Sequence, residues 1–156
     1  MNGAQHEVIP HISNIRRCVE ADVPWMADIA HRRYPDEFDY ESAKAWGYQQ
    51  IKIPEMVFLR GERAFGVAHT ARRFNAPKRL QAYLTLLYAE PAHTQLLEPY
   101  RIVEGLVDWA RERGATKFWL SDISGVDLGA FAKRLGGRLA GHTYVIDLDA
   151  EGTRYG

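Results

Sequence analysis

Apolar and polar positions follow a helical period in two segments of the chain. In the segment 100–113, apolar residues recur three and four positions apart, which predicts an amphipathic helix that ends at Gly114. The apolar positions are Ile102, Val103, Leu106, Val107 and Ala110. The same spacing in Trp25–Ala30 predicts an earlier helix that is capped by Asp22 and ended by Pro35.

Short apolar runs bounded by turn residues predict the strands. Seven runs qualify: 14–19, 56–60, 64–70, 80–89, 117–122, 138–140 and 143–148. Two further helices are predicted at 40–50 and 128–135. The order predicts an α/β fold with a single mixed, mostly antiparallel sheet and helices on both faces. Residues 12–150 are predicted to form one domain, after a lead-in of residues 1–11 and before a tail of residues 151–156.

Composition narrows the classes of function. The chain has 156 residues, and 20 acids balance 20 bases, which argues against broad electrostatic attachment to nucleic acid or membrane. Cys18 is the only cysteine, so neither an intrachain disulfide nor a thiolate metal cluster is possible. No metal site is predicted, because the acidic stretch 36–39 contains no histidine and is typical of a solvated loop. The chain shows no signal peptide and no apolar run of membrane-spanning length, which predicts a cytoplasmic protein.

Several strings occur in an order that is similar to one family. They are Ile15–Pro24, Phe58–Ala68, Asp108–Ala115 and Asp127–Leu148. Together they resemble the opening strand, central hairpin, main helix and closing segment of the GNAT superfamily of acetyl-CoA-dependent N-acetyltransferases. The closing segment is also similar to small acetyltransferase-like chains from bacteriophage genomes. The resemblance implies the GNAT-like acyltransferase fold.

The resemblance also locates a cofactor loop, and this loop departs from the family pattern. The family binds the CoA pyrophosphate on backbone N–H groups in a loop Pro-x-x-Arg/Gln-Gly-x-Gly-x-Gly/Ala before the main helix. Here its basic and small positions become Thr94, Gln95, Leu97 and Pro99, and Glu98 places a carboxylate at the helix start. We expect Glu98 to satisfy the helix dipole itself. If CoA binds nevertheless, the implied contacts are Leu87, Tyr88, Ala89, Thr94, Gln95, Leu97 and Tyr100.

The catalytic positions that the resemblance implies are also changed. The carboxylate that the family often carries on the fourth strand corresponds to Tyr83, and the tyrosine of its last helix corresponds to Ala132. Tyr83 and His69 are the candidate catalytic residues, since neutral histidine is a competent base near pH 7. Tyr88 and Tyr144 are further substitutes for the missing groups. The ordinary alternative is that His69 and the tyrosines are strand and packing residues.

Four cations flank a predicted hairpin turn, namely Arg72, Arg73, Lys78 and Arg79. They could bind nucleic acid or an acidic partner. A solvated hairpin tip is the favoured interpretation, because Phe74 is the only aromatic residue among them and the chain is neutral.

The sequence therefore predicts a GNAT-like fold with an eroded acetyl-CoA site. The favoured function is a non-catalytic protein-binding or structural assembly module, with a protein partner or self-assembly and no cofactor. A bacteriophage virion component is one such module, found in the host cytoplasm or the virion. The alternative is a divergent N-acetyltransferase that moves acetyl from acetyl-CoA to an amine. A nucleic-acid accessory protein is the third hypothesis.

Overall fold

The computed structural model describes residues 14–90, 97–121, 128–141 and 146–148. Its strands are β1 (Arg16–Arg17), β2 (Met56–Arg60), β3 (Ala64–Arg73), β4 (Ala76–Ala89) and β5 (Phe118–Trp119). Its helices are α1 (Val23–Arg33), α2 (Tyr40–Gln50), α3 (Leu97–Glu112) and α4 (Leu128–Arg134), and a 3₁₀ turn at Glu20–Asp22 precedes α1. No helix in the described ranges is long and apolar enough to cross a membrane.

The five strands form one sheet in chain order. Neighbouring strands from β1 to β4 are antiparallel, whereas β4 and β5 run parallel. The β4–β5 connection contains α3, as a parallel crossover requires. The predicted fold class, a mixed and mostly antiparallel sheet with helices on both faces, is confirmed.

One face of the sheet is covered by α3 and α4. The apolar side of α3 predicted from the sequence is buried there, together with Leu128 and Phe131 of α4. Gly66 of β3 lies directly beneath α3, and a Cβ at this position would be 2.6 Å from Cγ2 of Ile102. The close contact between strand and helix therefore requires glycine at position 66.

The other face of the sheet is covered by α1 and α2. Ile29 and Met26 of α1 pack on Phe58 and Phe65, and Cys18 is buried in the same cluster. Burial raises the pKa of the Cys18 thiol to about 12, which makes it a packing residue rather than a reactive thiolate. At the start of α2, Asp39 accepts a hydrogen bond from the Ser42 backbone N–H.

Asp22 does not cap α1 as predicted. Its carboxylate instead accepts hydrogen bonds from the Arg16 and Arg60 guanidinium groups and from the Val19 backbone N–H. These bonds hold the pKa of Asp22 down at about 2, with the Arg16 bond as the largest cause. The guanidinium of Arg60 also stacks on Trp25, with its Cζ 3.5 Å from the ring centre.

The bounds of several predicted elements were wrong. The first strand is only two residues long, because the chain turns after it into the 3₁₀ segment at Glu20. Helix α3 begins at Leu97 rather than at residue 100, since a proline is tolerated in the first turn of a helix, where its missing N–H has no partner to lose.

The last two predicted strands fare differently. Residues 138–140 are not a strand, and neither are residues 146–148 of their predicted partner, whereas its first half, 143–145, lies outside the described residues. The predicted lead-in 1–11 and tail 151–156 lie outside them as well.

Candidate functional site

Strand β4 contains an extra residue at Thr85. Val67 of β3 pairs with Leu86, but the next residue, Ala68, pairs with Leu84, so Thr85 has no partner in the ladder. The bulge reverses the alternation of side chains, and Leu84 and Leu87 consequently both pack towards α3. Such bulges frequently lie beside functional sites, where they reorient a side chain.

A polar cluster lies at this bulge. Nδ1 of His69 and Oγ1 of Thr85 are joined by a hydrogen bond of 2.7 Å. The imidazole of His69 also stacks on the ring of Tyr83, its cross-strand partner, with ring centres 5.0 Å apart and an angle of 18° between the planes. The structure thus brings together the two residues that the sequence offered as catalysts, and adds Thr85 to them.

His69 is placed to act as a neutral base. Partial burial lowers the pKa of its imidazole below the ordinary value, so the ring is mainly uncharged at neutral pH. With Nδ1 engaged by Thr85, the nitrogen left over is Nε2, which forms no hydrogen bond with any described residue. A neutral imidazole fixed through one nitrogen offers the other to a substrate.

Next to the cluster, β4 loses its neighbour on one side. The parallel pairing with β5 ends at Tyr83 and Trp119. Leu120 and Ser121 continue beyond β5 without joining the ladder, so the half of β4 that follows Tyr83 has no strand partner on that side among the described residues. Among the described residues, no strand pairs with the backbone groups on that side, where buried N–H and C=O groups need a partner.

The start of α3 faces the β2–β3 turn. The Glu98 carboxylate accepts a hydrogen bond of 2.7 Å from the Arg63 backbone N–H. It also fills the space beside Gly61, because a Cβ at position 61 would be only 2.4 Å from Cδ of Glu98. The Glu98 carboxylate thus connects α3 to the β2–β3 turn, and it also lies in the first turn of α3, where the sequence predicts that it satisfies the helix dipole. Its negative charge remains in the first turn of α3, where it disfavours an incoming anion.

Two guanidinium groups lie near Tyr100 in the first turn of α3, one from the next residue, Arg101, and one from Arg134 at the end of α4. Cζ of Arg134 lies 4.7 Å from the ring centre of Tyr100, and Cζ of Arg101 lies 6.0 Å from it. Arg101 donates from Nη1 to Glu104, yet its buried Nε has no hydrogen-bond partner among the described residues. An orphaned cationic donor fits a nearby phosphate. Arg101 and Arg134 are therefore the candidate anion-binding side chains near the start of α3.

The predicted CoA contacts differ in how accessible their side chains are. Leu87 is fully buried under α3, and Tyr88 is buried on the opposite face, where desolvation raises the pKa of its phenol to about 12. These two side chains leave only their backbone for a ligand. Ala89 pairs with Ala64, Leu97 is exposed and Tyr100 is buried against Phe131. Thr94 and Gln95 lie outside the described residues.

The last helix that the structure describes, α4, contains no tyrosine. Ala132 occupies the position where the resemblance implies a tyrosine, and the neighbouring Phe131 packs edge-on against Tyr100 at 5.4 Å. Tyr144, another suggested substitute, lies outside the described residues. Among the described residues near the bulge, one cluster of polar side chains is joined by both a ring contact and a hydrogen bond. It consists of His69, Tyr83 and Thr85.

Solved structures share this arrangement of strands and helices. An acetyltransferase from Trypanosoma brucei has a TM-score of 0.70 and 14% identity, over 86% of this chain and 98% of its own. Glucosamine-6-phosphate N-acetyltransferase from Arabidopsis thaliana has a TM-score of 0.70 and 13% identity, over 86% and 97%. The chain has the GNAT acetyltransferase fold.

A third structure with this acetyltransferase fold contains the cofactor. Aminoglycoside N-acetyltransferase AAC(6')-Iy, in complex with CoA, has a TM-score of 0.69 and 10% identity, over 87% of this chain and 94% of its own. No family model matches the sequence, and no curated protein matches it. At these identities the likeness establishes the fold alone, so activity has to be argued from the site.

Proposed function

We propose that this chain is a divergent N-acetyltransferase that transfers acetyl from acetyl-CoA to an amine, with His69 as the general base. The observation that carries this proposal is the His69–Thr85 hydrogen bond at the β4 bulge. It lies beside the part of β4 that has no β5 partner among the described residues. A neutral, half-buried imidazole with one free nitrogen suits removal of a proton from an amine near pH 7.

Each residue of the cluster has a distinct part in the proposed reaction. In the proposed tautomer, Nδ1–H of His69 donates its hydrogen bond to the Thr85 hydroxyl oxygen, which leaves the lone pair of the ring on Nε2. Nε2 takes a proton from the attacking amine as the amine nitrogen bonds to the acyl carbon and the carbon–sulfur bond breaks. Tyr83 gives a proton to the departing thiolate, and transfer of the proton from His69 to Tyr83 through solvent then restores both groups. Acetyl-CoA supplies the acyl group and the thiolate leaving group.

Arg101 and Arg134 are the residues proposed to hold the phosphates of the cofactor. They flank Tyr100 at the start of α3, and Nε of Arg101 lacks a partner among the described residues. A guanidinium binds phosphate oxygens through fixed, parallel N–H groups, so side-chain donors can replace backbone donors at this position. This substitution accounts for a cofactor loop without the family's glycines.

Calorimetric titration with CoA and desulfo-CoA tests the binding half of the proposal. We expect a dissociation constant of about 10 µM or tighter, and a loss of about tenfold or more in Arg101→Gln. Lys44→Gln, which removes a partly exposed cation of α2 outside the site, is the matched control and should bind normally. Absence of binding at millimolar CoA would refute the proposed activity.

Acetyl transfer to a panel of amines tests the catalytic half. His69→Gln should lower kcat about 100-fold while leaving the affinity for CoA unchanged. Because the pKa of His69 is lowered, the base is active above that pKa, and the rate should fall only as the pH drops below the ordinary histidine range. A His31→Gln variant, on α1, controls for loss of a histidine outside the cluster. An unchanged kcat in His69→Gln would remove His69 from the mechanism.

The second candidate is the non-catalytic assembly module, such as a virion component. It is favoured by Glu98, whose carboxylate occupies the first turn of α3 and is already bonded to Arg63. Leu139, Ile146 and Leu148 are exposed and provide apolar surface for a protein partner or a second copy. Light scattering of the purified chain distinguishes the candidates, since stable self-association without CoA binding supports the module. A monomer that binds CoA supports the enzyme.

A further inference from the structure

The β3–β4 hairpin extends beyond the rest of the sheet. Ladder pairing of β3 with β2 ends at His69, and pairing of β4 with β5 begins at Ala82. Residues 71–79 therefore form a two-stranded projection, which we name the basic arm. Its three ladder residues on β3 and the following turn reach about 10 Å past the sheet. All of its side chains that the structure describes are exposed.

The arm concentrates positive charge. It carries Arg72, Arg73, Lys78 and Arg79, and no acidic residue occurs in the sequence between Arg63 and Glu90. No carboxylate of the described residues forms an ion pair with these four cations, whereas Arg16, Arg32 and Arg60 elsewhere in the chain are all ion-paired. A chain that is neutral overall thus presents one strongly positive projection.

The tip of the arm carries an exposed aromatic ring. Arg73 pairs with Ala76 across the turn, which places Phe74 at the apex, and this side chain is fully exposed. Arg72 pairs with Leu80 and Arg73 pairs with Ala76, so residues 77–79 of β4 have no partner on β3 and form a bulge. The arm thus has an apolar apex with cations on both strands immediately behind it.

Trp119 of β5, a second aromatic residue, contacts the arm from the body of the sheet. The guanidinium of Arg73 stacks on the indole of Trp119, with its Cζ 4.8 Å from the ring centre, and Nζ of Lys117 lies 5.6 Å from the same ring. The indole N–H donates to Oε1 of Gln81 at 2.7 Å. These contacts fix the direction of the arm while its charge remains uncompensated by any described acid.

We propose that the basic arm binds duplex DNA. The major groove admits a two-stranded β-ribbon, and cations on both strands of a ribbon face the phosphates that border that groove. Phe74 at the apex suits contact with base edges, including thymine methyl groups. An acidic protein segment or an anionic membrane would satisfy the cations, but neither calls for a narrow ribbon with a single aromatic ring at its end.

Fluorescence anisotropy of the full chain with a labelled 20-bp duplex tests the proposal, at about 50 mM and about 200 mM sodium chloride. We expect saturable binding that weakens steeply with salt. The double variant Lys78→Gln/Arg79→Gln should bind about tenfold more weakly and reduce the salt slope by about two. Phe74→Ala should weaken binding by about fivefold with an unchanged salt slope, because it removes no charge.

The matched control is Arg17→Gln/Lys52→Gln, which removes the same charge from exposed positions outside the arm. It should bind like the parent. If it weakens binding as much as the arm variant does, the interaction is unspecific and the proposal is wrong. Circular dichroism verifies the fold of each variant, and Arg72→Gln/Arg73→Gln provides a second arm variant if the first does not fold.

Two competitors identify the ligand class. Duplex RNA should compete more weakly than duplex DNA, because its deep, narrow major groove does not admit the ribbon. Equal competition by the two duplexes contradicts entry into the groove. Vesicles with about 30% phosphatidylserine or a polyglutamate peptide that bind through the arm, while DNA does not, overturn the assignment in favour of those partners.

Discussion

Two arginines, one beside each end of the β3–β4 ladder, lie in opposite environments. At the packed end, Arg60 of β2 pairs with Phe65 of β3, stacks on Trp25 and is neutralised by Asp22. At the projecting end, Arg73 stacks on Trp119 without an acidic partner among the described residues. A half-buried cation needs a counter-ion within the fold, whereas an exposed one keeps its charge for a partner. One end of the ladder therefore serves stability and the other serves recognition.

The largest effect is expected in the core at the packed end. Leu106 is fully buried between α3 and the sheet, near Gly66. Leu106→Ala should lower the free energy of unfolding by about 4 kcal/mol, because the methyl groups leave a cavity that the strand backbone cannot fill. Urea titration measures this loss. A cost below about 1 kcal/mol would mean that α3 is not tightly packed on β3.

Loss of Asp22, the counter-ion of Arg60, should have the second-largest effect on the free energy of unfolding. Asp22→Asn leaves Arg60 half-buried and unneutralised, which should cost about 3 kcal/mol in urea titration. Asp28→Asn is the control, since its partner Arg32 is exposed and the pair should contribute less than about 1 kcal/mol. Equal costs for the two variants would erase the contrast between a buried and an exposed pair.

Protonation of the Asp22 carboxylate should lower the free energy of unfolding at acid pH. The folded-state pKa of Asp22 is about 2, below its ordinary value of 3.8. Its contribution is therefore complete above about pH 4 and lost as the pH falls through about 2. The difference in stability between the parent and Asp22→Asn, measured from pH 5 to pH 2, should shrink over that window. A constant difference would show that protonation of this carboxylate does not matter.

A smaller effect is expected at the bulge, between the two ends. Thr85→Val keeps the shape of the side chain but removes the hydroxyl that orients His69. We expect kcat for acetyl transfer to fall about tenfold, with CoA affinity unchanged. Thr85→Ser restores the hydroxyl and should recover most of the rate. Failure of the serine variant to recover it would make Thr85 a packing residue only.

The smallest effect on stability is expected at the projecting end. Phe74 is fully exposed, so Phe74→Ala should change the free energy of unfolding by less than about 0.5 kcal/mol. This value contrasts with the cost of Leu106→Ala at the packed end. A loss above about 1 kcal/mol would show that the arm folds back onto the protein in solution.

Local sequence signals predicted most of the fold. The spacing of Ile102, Val103 and Leu106 identified the buried side of α3, and the turn between β2 and β3 could be located at Gly61. Element bounds failed where long-range contacts decide them. Asp22 could not be assigned to Arg60 from the sequence, because the two are 38 positions apart.

The candidate site was only partly predictable. His69 and Tyr83 were selected by residue type and by the family resemblance, and the structure shows that they are cross-strand neighbours. Thr85 was missed, because a bulge is a mismatch between two strands and leaves no mark in either strand alone. The Glu98–Arg63 contact was missed for a similar reason, since it depends on how α3 approaches the β2–β3 turn.

The unpaired residue at Thr85 divides β4 into two segments with separate registers. Leu87 lies under α3 in the segment after Thr85, whose register is separate from that of the hairpin. Insertions or deletions near Pro77 could therefore lengthen or shorten the hairpin without moving the interior. Evolution could retarget the projection while leaving the folded body of the protein unaltered.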